Sequence, residues 1–175
     1  MPNFYEVLIA LTYCAAVTKR IQLGLAVIVM PLRDPFLLAK QLSTMDVFSG
    51  GRVIFGVGLG SQRDEFERLY PRLSRVHRGA MMDEALEAIN LLLTKPMASF
   101  SGRYYKFDDA ILEPKPLQKP FPIYISGRSL TTIKRTIKAG TGMMIFSATV
   151  EYLRESVAKL HSMAYEHGRD ASKID

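Results

Sequence analysis

Four short runs that are apolar from end to end limit what this chain can fold into: IQLGLAVIV (21–29), RVIFGVG (52–58), PIYIS (122–126) and GMMIF (142–146). A strand that is apolar on both faces must be covered on both, which parallel sheets flanked by helices achieve. Each run leads toward a segment with helical patterning. After the first, Asp34 can cap, Pro35 suits the first turn, Leu38, Leu42 and Met45 share a face, and Gly50 and Gly51 can end the helix. The second leads through the polar stretch SQRDEFERLYPRLSRV (61–76) to a helix from about His77 to Leu93, with Met82, Ala85, Ile89 and Leu92 at helical spacing. The third feeds a helix capped by Ser129, faced by Ile133 and Ile137 and stopped by Gly140. The fourth feeds a helix from Thr149 to about His167, with Val150, Leu153, Val157 and Leu160 expected to face inward and Gly168 as its stop.

Four strand–helix units in a row predict an α/β fold with a parallel sheet and right-handed crossovers, either doubly wound or part of a barrel. A closed eight-unit barrel needs about 250 residues, so a chain of 175 residues holds about half of one. An additional helix is expected over 4–18, with Leu8, Leu11 and Ala15 on one face and Lys19 and Arg20 where positive charge suits its C-terminus. Between the second helix and the third strand, SFSGRYYKFDDAILEPKPLQKPFP (99–122) reads first as a β-hairpin turning near Ser101 and Gly102, then as an extended proline-rich strap. Phe100, Tyr104, Tyr105, Phe107, Ile111 and Leu112 argue that this segment packs against the body rather than serving as a linker. The expected organisation is one domain over 1–175, with the hairpin and strap at 97–121 as an insertion.

Composition narrows the function. The 23 Lys and Arg against 17 Asp and Glu give a formal charge of +6, but the cations are dispersed, without the basic stripe and interleaved aromatics of a nucleic-acid surface. No apolar run is long enough to cross a membrane as a helix, and the opening residues Met1 to Tyr5 lack the basic region of a signal peptide. Cys14 is the single cysteine and reads as a small buried apolar residue; no intramolecular disulfide is possible, and a reducing, cytoplasmic location is expected. His77, His161 and His167 lack metal-ligand spacing and read as solvated helix residues.

Ligands of α/β proteins gather where strands lead into helices. Four segments meet there: VIVMPLRDP (27–35), GVGLGSQRDEFE (56–67), SGRS (126–129) and FSATVE (146–151). The glycines at 56, 58 and 60 miss the dinucleotide fingerprint by one residue of spacing, and there is no P-loop. They can instead leave a strand end bare on one face, so that a flat ligand lies against the backbone. SGRS is the better phosphate candidate, since a turn into a helix N-terminus offers free amides and Arg128 adds a cation. Asp64, Glu65 and Glu67 read as solvated charge rather than as acid/base groups. Met143 and Met144 read as core.

The motifs TKRIQLG (18–24), PLRDP (31–35), LAKQLSTMDVFSGGR (38–52), GVGLG (56–60) with EFE (65–67), HRGAMMDEALEAINLL (77–92), GRYYKF (102–107) and EPKPLQKPFPIYISGRS (113–129), in that order, resemble the bacterial luciferase-like family of flavin-dependent oxidoreductases. That resemblance covers nearly the whole chain. It implies a (β/α)8 TIM barrel with an inserted hairpin, binding FMN or the deazaflavin F420 at the barrel mouth, and makes the four strands its third to sixth. It places the flavin ring near Ala26, Val27 and Ile28 and against Gly56 and Gly58. The phosphate end falls to Gly127, Arg128 and Ser129, with Phe146 and Ser147 nearby. It implies hydride transfer or oxygen activation on a small organic substrate and assigns no catalytic acid or base; a homo-oligomer, as a dimer, is expected, and the residue spacing offers no metal site. The alternative is a catalytically inactive flavin-binding or interaction protein on a shortened barrel.

The sequence departs from the family pattern in several places. TGM (141–143) stands where relatives often have D-G-W, and Ser61 where some F420 users carry Glu. The chain is expected to open inside the second barrel helix and to stop where the seventh strand would begin, as a fragment of a longer barrel would.

Overall fold

The computed structural model describes residues 5–71 and 76–175, apart from the side chain of Glu65. The expected helix start at residue 4, the opening residues Met1 to Phe4 and the Glu65 carboxylate lie outside the described residues. In chain order the elements are α1 (Val7–Val17), β1 (Leu23–Gly24), β2 (Ile28–Val29), α2 (Pro35–Ser49), β3 (Val53–Gly58), α3 (Arg63–Leu69), α4 (Arg78–Thr94), β4 (Ala98–Ser101), β5 (Lys106–Ala110), β6 (Ile123–Ser126), α5 (Leu130–Ala139), β7 (Gly142–Met144) and α6 (Val150–Glu166).

The main sheet is parallel throughout, in the order β1-β3-β6-β7, with β2 also pairing β3. Its register sets Gly24 beside Ile54, Val29 beside Gly58, Gly56 beside Tyr124, Tyr124 beside Gly142 and Ser126 beside Met144. This sheet is covered on one face. Leu23, Leu25, Ile28, Val53, Phe55, Val57, Ile123 and Ile125 are buried; all but Leu23 belong to one core cluster with Leu38, Leu42 and Met45 of α2 and Met82, Ala85 and Ile89 of α4. The alternate residues Gly24, Ile54, Tyr124, Ser126 and Met144 are exposed or half-exposed. The first apolar run therefore differs from expectation: it is not one strand buried on both faces but two short pieces joined at Leu25 to Val27, with Gly24 and Ala26 exposed.

Helix ends follow local chemistry. Asp34, His77, Ser129 and Thr149 each accept a backbone N–H of their helix's first turn, and Gly50 ends α2 in the left-handed conformation at φ 71°. The end of α1 was not legible in this way. It stops at Val17, and its C-terminal carbonyls are met by Arg52, which donates to the Ala15 and Thr18 carbonyls at 3.1 and 3.0 Å, rather than by Lys19 or Arg20. Cys14 is half-buried rather than fully buried.

A second correction concerns α6. Its buried stripe is Ser156, Leu160 and Ala164, spaced four apart, and Leu160 and Ala164 pack with Ile133 and Ile137 of α5 and with Ile174. Val150, Leu153 and Val157, expected inward, are 58%, 40% and 48% exposed because they lie on the neighbouring stripe. Leu153 and Val157 instead border a groove with Tyr124, Met143, Met144 and Ile145.

The antiparallel pair β4 and β5 stands apart from the main sheet. Its turn is fixed by Glu84 of α4, which accepts the Arg103 and Tyr104 amides at 3.0 and 2.8 Å. The strap that follows is anchored by the fully buried Asp46, which accepts the Leu117 and Gln118 amides at 2.8 and 3.1 Å and the Gln118 side chain at 2.7 Å. A buried carboxylate is tolerable when donors surround it in this way.

Candidate functional site

The C-terminal ends of β2, β3, β6 and β7 lie side by side, and the open face of the sheet leads up to them. Glycine keeps this face low, though for two different reasons. At Gly56 an added Cβ would sit 1.9 Å from the Leu25 carbonyl oxygen, so the missing side chain makes room for the chain's own backbone where the first strand breaks. At Gly58 the nearest atoms to an added Cβ are Val27 Cγ2 at 3.2 Å and Ser126 Cβ at 3.6 Å, and at Gly24 nothing lies within 4 Å. Gly58 is thus buried beside Val27 and Ser126 at the rim, whereas Gly24, with open space around it, pairs with Ile54 at the opposite end of β3.

Of the three residues expected at the tip of the first strand, Ala26 is exposed and Val27 half-buried beside Gly58. Ile28 is different: it pairs with Val57 and its side chain is buried in the core, leaving only its backbone toward the rim.

Beyond Ser126, the chain turns through Gly127 at φ 149° into α5. A Cβ at Gly127 would meet Thr132 Oγ1 at 2.4 Å, so glycine lets the turn sit tight on the helix start. Ser129 caps that start by accepting the Thr132 amide at 3.2 Å. The amides ahead of Thr132 have no intrahelical acceptor, which makes this end of α5 attractive to an anion.

Arg128 is exposed but held. Its Nη1 donates to the Ser147 carbonyl at 3.4 Å, and its guanidinium carbon lies 4.5 Å from the centre of the Tyr152 ring. Tyr152 in turn donates its hydroxyl to the Arg128 carbonyl at 2.6 Å. Ser147 adopts φ 51°, unusual for a residue other than glycine, and Phe146 beside it is half-exposed. The structure therefore brings Gly127, Arg128, Ser129 and Ser147 together, with Gly58 reached through Ser126. Tyr152 was not singled out from sequence, since nothing in its local pattern marks it as a partner of a residue 24 positions earlier.

Lower on the open face, Tyr124 donates its hydroxyl to Asp175 at 2.7 Å. Burial and this carboxylate push the Tyr124 hydroxyl up to about 12. The Asp175 backbone bonds on both sides of Gly142, donating to Thr141 and accepting from Met143, as a neighbouring parallel strand would. Asp64 is exposed, and the half-buried Glu67 pairs with Arg63 at 2.5 Å within α3. Among the described residues no group of three His, Cys, Asp or Glu is placed to hold a metal, and no helix is long and apolar enough to cross a membrane.

A strand-end rim that leads into a turn with a cation and helix-start amides has the chemistry to attract an anion. The family model for luciferase-like monooxygenases matches residues 2–175. The chain belongs to that family. Among its curated relatives, an FMNH2-dependent dimethylsulfone monooxygenase of Pseudomonas putida is 31% identical over 87% of this chain and 42% of its own length. An F420-dependent glucose-6-phosphate dehydrogenase of Amycolatopsis mediterranei is 34% identical over 74% of this chain and 39% of its own. In fold, the F420-dependent tetrahydromethanopterin reductase of Methanopyrus kandleri superposes with a TM-score of 0.83 at 24% identity, over 98% of this chain and 53% of that one. The chain thus spans about half the length of the proteins it matches. The family match bears out the resemblance read from the sequence.

Proposed function

We propose that this chain supplies a cofactor cradle of a flavin-dependent oxidoreductase or monooxygenase, with FMN or the deazaflavin F420 lying against Val27 and Gly58 and its phosphate on the turn Gly127–Ser129. In this reading the strands β1 with β2, β3, β6 and β7 correspond to the third to sixth of a (β/α)8 barrel, and β4 and β5 to an inserted hairpin. The observation that carries it is the strand-end rim at Val27, Gly58 and Ser126 leading directly into the α5 N-terminus beside Arg128. The two named relatives, one using FMNH2 and one F420, support the cofactor class.

The residues fit such a group. Arg128 and the leading amides of α5 neutralise a phosphate, the first by charge and the second by the helix dipole. The Val27 side chain and the Gly58 backbone provide an apolar surface for a ring, and Met144 closes the same face lower down. When bound, the cofactor supplies hydride transfer or oxygen activation, while the protein's part is binding, orientation and exclusion of water. None of the carboxylates or histidines described lies where an acid or base role can be assigned to it.

Titration of the chain with FMN and with F420, followed by bound absorbance and by reduction with a suitable donor, tests this. Saturable binding with turnover on a small organic substrate is the expected result. Binding without turnover favours an inactive flavin-binding protein, and no saturable binding of either cofactor overturns the reading.

A further inference from the structure

We propose that Tyr152 is a positioning residue for Arg128, and that this pair sets the preference for a phosphorylated cofactor over its unphosphorylated counterpart. The inference rests on the cofactor reading above and goes beyond it by naming what fixes the cation.

An exposed arginine samples many rotamers, and binding an anion costs the entropy of choosing one. Arg128 is restrained before any ligand arrives. Its guanidinium lies over the Tyr152 ring at 4.5 Å, and the same tyrosine holds the Arg128 backbone through a 2.6 Å hydrogen bond from its hydroxyl. Side chain and main chain of one residue are thus gripped by two parts of another. Tyr152 is itself fixed, as the third residue of α6, where its amide is capped by Thr149 Oγ1 at 3.2 Å.

The position of the guanidinium carbon over the ring matters for the chemistry. A ring occupies the face of a guanidinium and leaves its in-plane N–H edges free, and those edges are what a phosphate accepts bidentately. One edge reaches toward the Ser147 carbonyl at 3.4 Å, a long contact that a stronger acceptor would readily replace. The cation is consequently held between the N-termini of α5 and α6, where both helix dipoles favour negative charge. A lysine there could supply charge but not the fork.

The test compares dissociation constants for FMN and riboflavin, and for F420 and its dephosphorylated deazariboflavin chromophore, in the wild-type chain and in variants. Arg128→Ala should weaken the phosphorylated member of the bound pair about tenfold or more while changing the unphosphorylated one by less than about twofold. Tyr152→Leu should do the same at about three- to tenfold. The double variant should be no weaker than Arg128→Ala alone, because the tyrosine acts through the arginine. Tyr152→Phe, which keeps the ring, should retain most of the preference. If Tyr152→Leu unwinds α6 by circular dichroism, Arg128→Lys replaces it, and should lose at least about threefold of the preference.

Equal weakening of both members of a pair, or additive effects in the double variant, would overturn the role of Tyr152 while leaving the cofactor reading intact. Failure of the wild-type chain to bind either phosphorylated cofactor overturns both.

Discussion

The carbonyl oxygen of Leu25 occupies the space in which a side chain at Gly56 would begin: a Cβ there would lie 1.9 Å from it, and 3.1 Å from Met144 Cε. The break between β1 and β2 and the glycine in the adjacent strand are two sides of one fit. Gly56→Ala should therefore destabilise the chain by about 2–3 kcal/mol or more, since backbone rather than a flexible side chain must move. Gly24→Ala, with nothing within 4 Å, should change stability by less than about 0.5 kcal/mol. Urea unfolding of the two variants side by side checks the contrast, and equal midpoints would contradict it.

Asp46 ties the strap to α2 through three donors, two of them backbone amides. Asp46→Ala leaves the Leu117 and Gln118 amides without their acceptor and should cost roughly 2–4 kcal/mol. Hydrogen exchange at those two amides should quicken more than at the Ile123 and Ile125 amides of β6. Uniform quickening would mean that the carboxylate supports the whole fold rather than the strap.

Tyr105 buries a hydroxyl that has no hydrogen-bond partner among the described residues. An unpaired buried donor is a cost that its removal relieves, so Tyr105→Phe should leave stability unchanged or raise it by about 1 kcal/mol. A loss of more than about 1 kcal/mol in urea unfolding would show that the hydroxyl has a partner after all.

Alkaline pH provides an independent check. Burial, helped by the charges of Asp34 and Glu84 and by Tyr70, pushes Tyr105 up to about 12 from 10.0, and burial with the Asp175 hydrogen bond does the same to Tyr124. Between these values the unfolded chain has released protons that the folded chain keeps. Stability is thus unaffected by either ionisation below about pH 10 and falls as pH rises toward about 12. Unfolding midpoints should fall across that window, and Tyr124→Phe should reduce the fall; the same slope in the variant would remove Tyr124 from the account.

Much of the fold was legible because its signals are local. The caps Asp34, Ser129 and Thr149 and the stops Gly50 and Gly140 lie within a residue or two of the ends they mark, and the apolar runs located every strand of the main sheet. What escaped was tertiary. Arg52 caps a helix that ends 35 residues before it, and no window on the sequence links the two. The apolar stripe of α6 looked buried because periodicity reports which residues share a face, not which of two adjacent stripes meets a neighbour. At the candidate site, the rim segments followed from strand order alone, and Gly58, Gly127, Arg128 and Ser129 do lie on that rim. The role of Gly56 as room for Leu25, the inward turn of Ile28 and the tyrosine beneath Arg128 each needed coordinates.

Site-resolved amide chemical shifts during titration with FMN and with F420 test the central claim most directly. Saturable shifts from one cofactor are expected, concentrated at Val27, Gly58, Gly127, Arg128, Ser129 and Ser147 and absent in the groove between α4 and α5, which is lined by Glu87, Asn90, Lys138 and Ala139. No saturable shift from either cofactor, or shifts centred on that α4–α5 groove, would contradict it.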